Sequence, residues 1–260
     1  MPTELKTARR GTTLVLTLSE PGRPNTLSEQ FFTAGVEALT VAESTPEVRA
    51  IVLQGEGATF SAGGDIAGLA ERRRADPSVQ MQMLDRFNQF VEAVRACPKP
   101  VIAAVEGAAA GGAFSIVLAC DLVVAAEDAR FVMSHARLGL SPDGGGSWQL
   151  ARLLPRALAL QLLWLAEPVT AKQLNALGLV NEVAPAGQAL EHACALADRL
   201  AALAPGALAS AKELVNKAGE QTLSKQLAAE RDHFLENLFG ADGAEGLQAF
   251  LDKRAPRFGA

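Results

Sequence analysis

The chain has 260 residues, of which 49% are hydrophobic and 20% charged, and its formal net charge is −5 at neutral pH. A chain of this size buries a substantial core as one domain, or as one domain with an appendage. The composition is that of a globular enzyme rather than a disordered chain, and the acidic balance argues against a partner that is nucleic acid or an anionic membrane.

The opening segment, MPTELKTARRGTT, lacks the apolar core of a signal peptide, and no run approaches about 18 apolar residues, so a cytoplasmic protein without a membrane partner is expected. Residues 12–18 alternate as a strand, which Pro21, Gly22, Pro24 and Asn25 break. Residues 28–43 have helical spacing, with Phe32, Val36 and Leu39 on one face. A buried strand at 48–53 leads into the loop GEGATFSAGGD, where Gly63, Gly64 and Asp65 precede a short helix from Ile66. A longer helix at 80–96 is stopped by Pro98 and Pro100. Residues 101–105 are a buried strand, 107–112 contain only glycine and alanine, and 113–119 read as a buried helix. Strands at 122–125 and 130–133 come next, followed by a third glycine-rich turn, LGLSPDGGGSW. Beyond Ser147 the chain is helical and rich in alanine and leucine, with a short strand around 179–183 and a boundary near Ala204, Pro205 and Gly206. The helices after it are too short to form a core alone and are expected to pack on the body or on a neighbouring chain.

Two of these loops, FSAGGD and AAAGGA, follow buried strands and open helices. The first N–H groups of a helix lack intrahelical partners and lie at the positive end of its dipole. Small side chains let another molecule approach them, and two such groups converging on one carbonyl oxygen form an oxyanion hole. The spacing does not fit GxGxxG and no GxxxxGK[ST] is present, which sets nucleotide motifs aside. Asp143, after Pro142 and before three glycines, has the chemistry of a proton carrier, or alternatively caps the helix that follows. His135 is an acid, a base, a pocket wall or a satisfied side chain. Ser115 most simply bonds back to its own helix backbone. No G-x-S-x-G elbow supports a hydrolase triad. Cys97, Cys120 and Cys194 are widely spaced without CxxC, which argues against disulfides and zinc and for small buried apolar residues.

The chain resembles the enoyl-CoA hydratase/isomerase (crotonase) superfamily. The resemblance is carried in order by FSAGGDI, PKPVIAAVEGAAAGGAFSIVLACDLVVAAEDARF, LGLSPDGGGSWQLARLLP, TAKQLNALGLVNEV and the terminal AFLDKRAPRF, nearly the whole chain. It implies an α/β fold, a right-handed crotonase-type spiral of ββα units over residues 1–204, with a helical trimerisation region at 205–260 and trimers or paired trimers as the assembly. It implies an acyl-CoA thioester as substrate, with coenzyme A part of that substrate and no separate cofactor. The oxyanion N–H groups then fall on Ala62 and Gly112. Residues around the acyl-CoA would be Gly64, Asp65, Ile66, Gly111, Ser115, His135 and Trp148. Arg23, with Phe250 and Lys253 from a neighbouring subunit, would meet the nucleotide end. Hydratases of this superfamily place one water-activating glutamate where this chain has Ser115 and another where it has His135. Their absence and the presence of Asp143 resemble the isomerase branch, particularly the ring-1,2-epoxyphenylacetyl-CoA isomerase of phenylacetate degradation. The expected reaction is proton transfer by Asp143 through a thioester enolate. The alternatives are a hydratase, a hydrolase, or a non-catalytic acyl-CoA-binding member.

Overall fold

The structure is a computed structural model that describes residues 3–259. It repeats one unit: a strand of a large sheet, a short strand of a small sheet, then helix. After the outermost strand β1 (Glu4–Arg10), the first unit is β2 (Thr13–Ser19), β3 (Thr26–Leu27) and α1 (Glu29–Ser44). The second is β4 (Ala50–Gly55), β5 (Gly63–Gly64), α2 (Ile66–Arg72) and α3 (Pro77–Ala96). The third is β6 (Val101–Val105), β7 (Ala108–Ala110) and α4 (Gly112–Ala119). The fourth is β8 (Leu122–Ala126), β9 (Arg130–Val132), a 3-10 turn (Ser134–Leu138), α5 (Gly146–Leu153) and α6 (Arg156–Leu165). There follow β10 (Val169–Thr170), α7 (Ala171–Ala176), β11 (Glu182–Ala184) and α8 (Ala189–Ala201), then the terminal helices α9 (Pro205–Ala218), α10 (Leu223–Phe239) and α11 (Ala241–Leu251).

The large sheet has the order β1-β2-β4-β6-β8-β11 and is parallel except for the β1–β2 hairpin. The short strands form two small sheets, β10-β9-β7 and β3-β5. The sequence-derived strands and helices are all present, with ends shifted by a few residues. Helix α3 starts earlier than expected, because Asp76 caps it by accepting the Ser78 N–H at 2.9 Å and Pro77 occupies its first turn. Five strands are additional: β1, β7 and the two-residue strands β3, β5 and β10. β1 is mostly exposed and pairs only with β2. β7 lies within the glycine–alanine run, where three alanines pair with β9.

Strand alternation sets the core. Ile51, Leu53, Val101, Ala103 and Val105 face the interior cluster beneath α1, α3 and α4, whereas Val52, Ile102, Ala104 and Val124 face the opposite side. There α8 lies on the sheet through Ala189, Ala193 and Ala197, all fully buried, and small side chains at this spacing let a helix approach closely. Glu106, at the end of β6, accepts the N–H groups of Gly187 and Ala189 and fixes where α8 begins. Phe31 and Phe32 of α1 pack on Phe87 and Phe90 of α3, with Phe32 and Phe87 stacked at 4.9 Å, and this fixes the wall that α3 presents to the site.

The terminal helices hold to the body at a few polar points. Lys212 of α9 reaches Asp121 at 2.8 Å and the carbonyls of Val94 and Lys99. Burial pushes the Asp121 carboxyl up from its ordinary range, and Lys212 counters only part of that. Cys97 and Cys120 are buried and Cys194 half-buried; all three are free, and burial raises each thiol, as fits apolar packing rather than thiolate chemistry. Among the described residues no helix is long and apolar enough to cross a membrane, and no group of three His, Cys, Asp or Glu side chains is placed to hold a metal ion.

Ala193 has no room for growth. Ala193→Leu is expected to cost about 1–3 kcal/mol by forcing α8 off the sheet, read as a lower urea midpoint; an unchanged midpoint would contradict the close packing.

Candidate active site

The two small-residue loops meet. Phe60 donates its N–H to the Glu106 carbonyl at 2.8 Å, Ser61 donates to Ala108 at 2.9 Å, and Ala110 donates to Ser61 at 3.1 Å. Such proximity leaves no space for a side chain at Gly63. Its φ is +87°, and a Cβ there would lie 2.4 Å from the Ala110 carbonyl oxygen. One strand further on, β7 delivers Gly111 and then α4, whose eight residues are all buried. The Gly111 N–H is taken by the Val132 carbonyl at 2.8 Å. The Gly112 N–H has no hydrogen-bond partner among the described residues, so a donor at the positive end of α4 faces the space between the loops.

Asp143 enters this space from the third glycine-rich turn. The turn packs tightly: Gly144 has φ +56°, and a Cβ there would meet Phe87 Cζ at 2.2 Å. Asp143 does not cap α5, which starts at Gly146 after Gly145 without any side-chain cap. Its Oδ1 lies 3.0 Å from His135 Nε2 and 3.2 Å from where a Cβ on Gly112 would sit, which puts the carboxylate over the start of α4. Its backbone carbonyl accepts both the Ser115 hydroxyl at 2.9 Å and the Gly146 N–H at 3.1 Å. Ser115 therefore reaches across to the Asp143 turn rather than back to its own helix. His135, on the 3-10 turn, is 7% exposed, and its Nδ1 is buried without a partner.

A cavity of about 100 Å³ joins these groups. Ala62, Gly64, Asp65, Ile66, Gly111, Gly112, His135 and Asp143 all line it, as the sequence suggested. Its apolar wall comes from Leu27 and Phe32, from Leu69, Met83, Leu84 and Phe87, and from Leu138 and Leu140. The segment from α2 into α3 supplies much of that wall. Leu27, Leu138 and Leu140 carried no signal beyond hydrophobicity.

Several expected roles need correction. The Ala62 N–H donates to the Pro24 carbonyl at 2.9 Å, so it is already engaged and is not an open oxyanion donor. Ser115 is fully buried behind Asp143 and does not line the cavity. Trp148 faces away from it, with the Arg152 guanidinium 3.6 Å and that of Arg95 4.6 Å from its ring. Arg23 bridges Glu20 at 3.0 Å and Asp65 at 3.2 Å, tying the β2–β3 turn to the FSAGGD loop instead of standing free for a ligand. Phe250 and Lys253, expected to serve a neighbouring subunit's site, lie on and just beyond α11 and outside this chain's own cavity, which leaves that expectation untouched.

An α/β spiral that brings a free helix-terminal N–H, small-residue loops and a carboxylate to one apolar cavity defines an enzyme fold suited to holding an oxyanion beside a proton carrier. The family model for enoyl-CoA hydratase/isomerase matches residues 8–260. A 2,3-dehydroadipyl-CoA hydratase of Escherichia coli K12 is 35% identical over 255 residues, covering 98% of each chain. A 1,2-epoxyphenylacetyl-CoA isomerase of the same organism is 36% identical over 252 residues, covering 94% of each. The crystal structure of an enoyl-CoA hydratase from Polaromonas sp. JS666 superposes with a TM-score of 0.97 at 55% identity, covering 98% of this chain and 99% of that one. The chain belongs to the enoyl-CoA hydratase/isomerase family and has the crotonase fold.

The two glycines of the FSAGGD loop should respond differently to a methyl group. Gly63→Ala is expected to lose about 2 kcal/mol or more, because the left-handed backbone and the Ala110 contact both oppose it. At Gly64 a Cβ meets nothing within 4 Å, so Gly64→Ala should stay within about 0.5 kcal/mol of the parent. Thermal unfolding distinguishes the two, and equal losses would contradict the interlocked geometry.

Proposed function

We propose that this chain is an acyl-CoA isomerase that moves a proton through a thioester enolate, with Asp143 as the group that carries it. The observation behind this reading is the pair of contacts to Asp143. Ser115 and His135 occupy the places where hydratases of the superfamily have glutamates. Here both turn to Asp143, one to its carbonyl and one to its carboxylate. Oδ1 is held by His135, and Oδ2 makes no hydrogen bond among the described residues. Oδ2 then takes the proton α to the thioester carbonyl, negative charge collects on the thioester oxygen, and the carboxyl, whose proton exchanges with solvent, delivers a proton at the γ carbon. No further reactant is consumed.

The Gly112 N–H supplies one oxyanion donor. With Ala62 engaged, we assign the second to Gly64, the exposed residue of the same loop on the cavity wall. One such donor is typically worth about 2.7–4 kcal/mol of barrier. The backbone from Gly64 to Ile66 would lie along the pantetheine and adenine end of coenzyme A.

Hydration is the second reading, favoured by the naming of several relatives as hydratases. In it the His135–Asp143 pair would activate water. Asp143→Asn is expected to lower kcat by about 10²–10⁴-fold while leaving acyl-CoA affinity within about twofold. With straight 2- and 3-enoyl-CoAs and ring-type thioesters as a panel, mass spectrometry should find unchanged product mass in water and deuterium uptake in D₂O. Gain of one water would establish hydration instead, and full turnover by Asp143→Asn would dismiss Asp143 as the base.

The assembly belongs to the same proposal. Helices α9 and α10 bury no residue within the chain, and Phe239 and Phe250 are each 83% exposed. Large apolar surfaces of this kind mark interfaces, and a trimer or paired trimers would cover them and bring Phe250 and Lys253 to a neighbour's site. Light scattering should give a mass that is a multiple of three chains, and a monomer at micromolar concentration would overturn this.

A further inference from the structure

We infer that His135 is a positioning residue. It carries its proton on Nε2, donates it to Asp143 Oδ1, and thereby turns Oδ2 toward the cavity without itself moving a proton in the reaction. This inference rests on the reading of Asp143 as the base.

The assignment follows from what each ring nitrogen meets. An ionised carboxylate can only accept, so the 3.0 Å contact between Nε2 and Oδ1 requires the hydrogen on Nε2. The other nitrogen, Nδ1, is buried and has no partner. A hydrogen there would be a buried donor with nothing to receive it, which costs more than a bare lone pair in the same place. Both ends of the ring therefore select one tautomer. A general acid or base at this position would need a second partner or a path to water at Nδ1, and the ring is almost wholly buried.

No other side chain competes for the Asp143 carboxylate. Of the two other charged groups lining the cavity, Asp65 is paired with Arg23, and Arg72 donates to Gln80 at 2.7 Å. Arg137 on the same turn and Arg156 on the adjacent α6 are exposed, Arg152 stacks on Trp148, and Arg130 is turned to the carbonyls of Asp128 and Ala129. His135 is thus the sole side-chain donor to the Asp143 carboxylate among the described residues. Gly111 adjoins the ring: a Cβ there would be in ordinary contact with His135 Cε1 at 3.7 Å and with Ser134 Oγ at 3.4 Å. One hydrogen bond at a fixed angle leaves one carboxylate oxygen free and aimed.

Two measurements test this, one of them independent of turnover. The chain has only three histidines, so ¹⁵N-histidine labelling with His135→Gln as the assignment control is tractable. At a pH of about 8, where free histidine is neutral, the His135 ring is expected to show a protonated Nε2 and an unprotonated Nδ1. A protonated Nδ1 overturns the assignment. In kinetics, His135→Ala is expected to lower kcat about tenfold or more with little change in KM, because the misaligned carboxylate still leaves the acyl-CoA site intact. His135→Gln, which keeps an N–H donor near Nε2, should recover most of that loss. Equal losses in both variants, or a loss confined to KM, would contradict positioning. Wild-type kcat in His135→Ala with Asp143→Asn inactive removes the positioning role and leaves Asp143 as the base. Turnover retained by Asp143→Asn removes both.

Discussion

The site depends on how Ser61 is used. Its N–H and its carbonyl both bond to β7, and its hydroxyl accepts the Gly63 N–H at 3.1 Å, so one fully buried residue connects two turns of the spiral and shapes the loop that follows. Buried polar atoms must find partners, and here the partners come from the neighbouring repeat. The loop therefore cannot drift away from α4 without exposing several unsatisfied groups together. Small residues fill this region because backbone meets backbone, as the Gly63 contact with Ala110 shows.

The electrostatics follow from that packing. The cavity's positive end comes from α4, a short and entirely buried helix, with no cationic side chain beside Gly112. In a low-dielectric setting a helix terminus exerts more influence than it would in water. Asp143 sits over the same terminus that would receive the thioester oxygen. When the proposed proton transfer occurs, the carboxylate becomes neutral as the oxygen becomes negative, so charge moves between two points in one field and the net charge of the site stays constant. Little reorganisation is needed, which is the physical condition for electrostatic stabilisation to be effective.

Much of this was legible from the letters. The alternation of β2, the short apolar runs of β4 and β6 and the punctuation by glycine and proline gave the order of elements, and two small-residue loops beside an acidic turn gave the region of the site. What failed has local causes. Three alanines have no period, so β7 was hidden inside an apparent turn. The choice between Ala62 and Gly64 depends on Pro24, a distant carbonyl that takes the Ala62 N–H, and no spacing within SAGG encodes it. Trp148 had a readable signal that pointed the other way. Arg152 lies one helical turn beyond it, the spacing at which side chains on a helix meet, and the two stack on the face away from the cavity.

Ser115 and His135 are better understood together with Asp143 than as losses. Ser115 is fully buried, and a Cβ added to Gly146 would come within 2.6 Å of its hydroxyl. A glutamate at 115 would have to displace the Asp143 turn, and its charge would be buried beside Asp143 without a cation. A glutamate at 135 would replace the one donor to Oδ1 with a second acceptor. Like charges at such distances disfavour each other's ionised form. A site built around one held carboxylate and a site built around two water-activating glutamates therefore make opposing demands on the same volume. In this chain the packing of Phe87, Gly144, Gly146 and Ser115 meets the demands of the first.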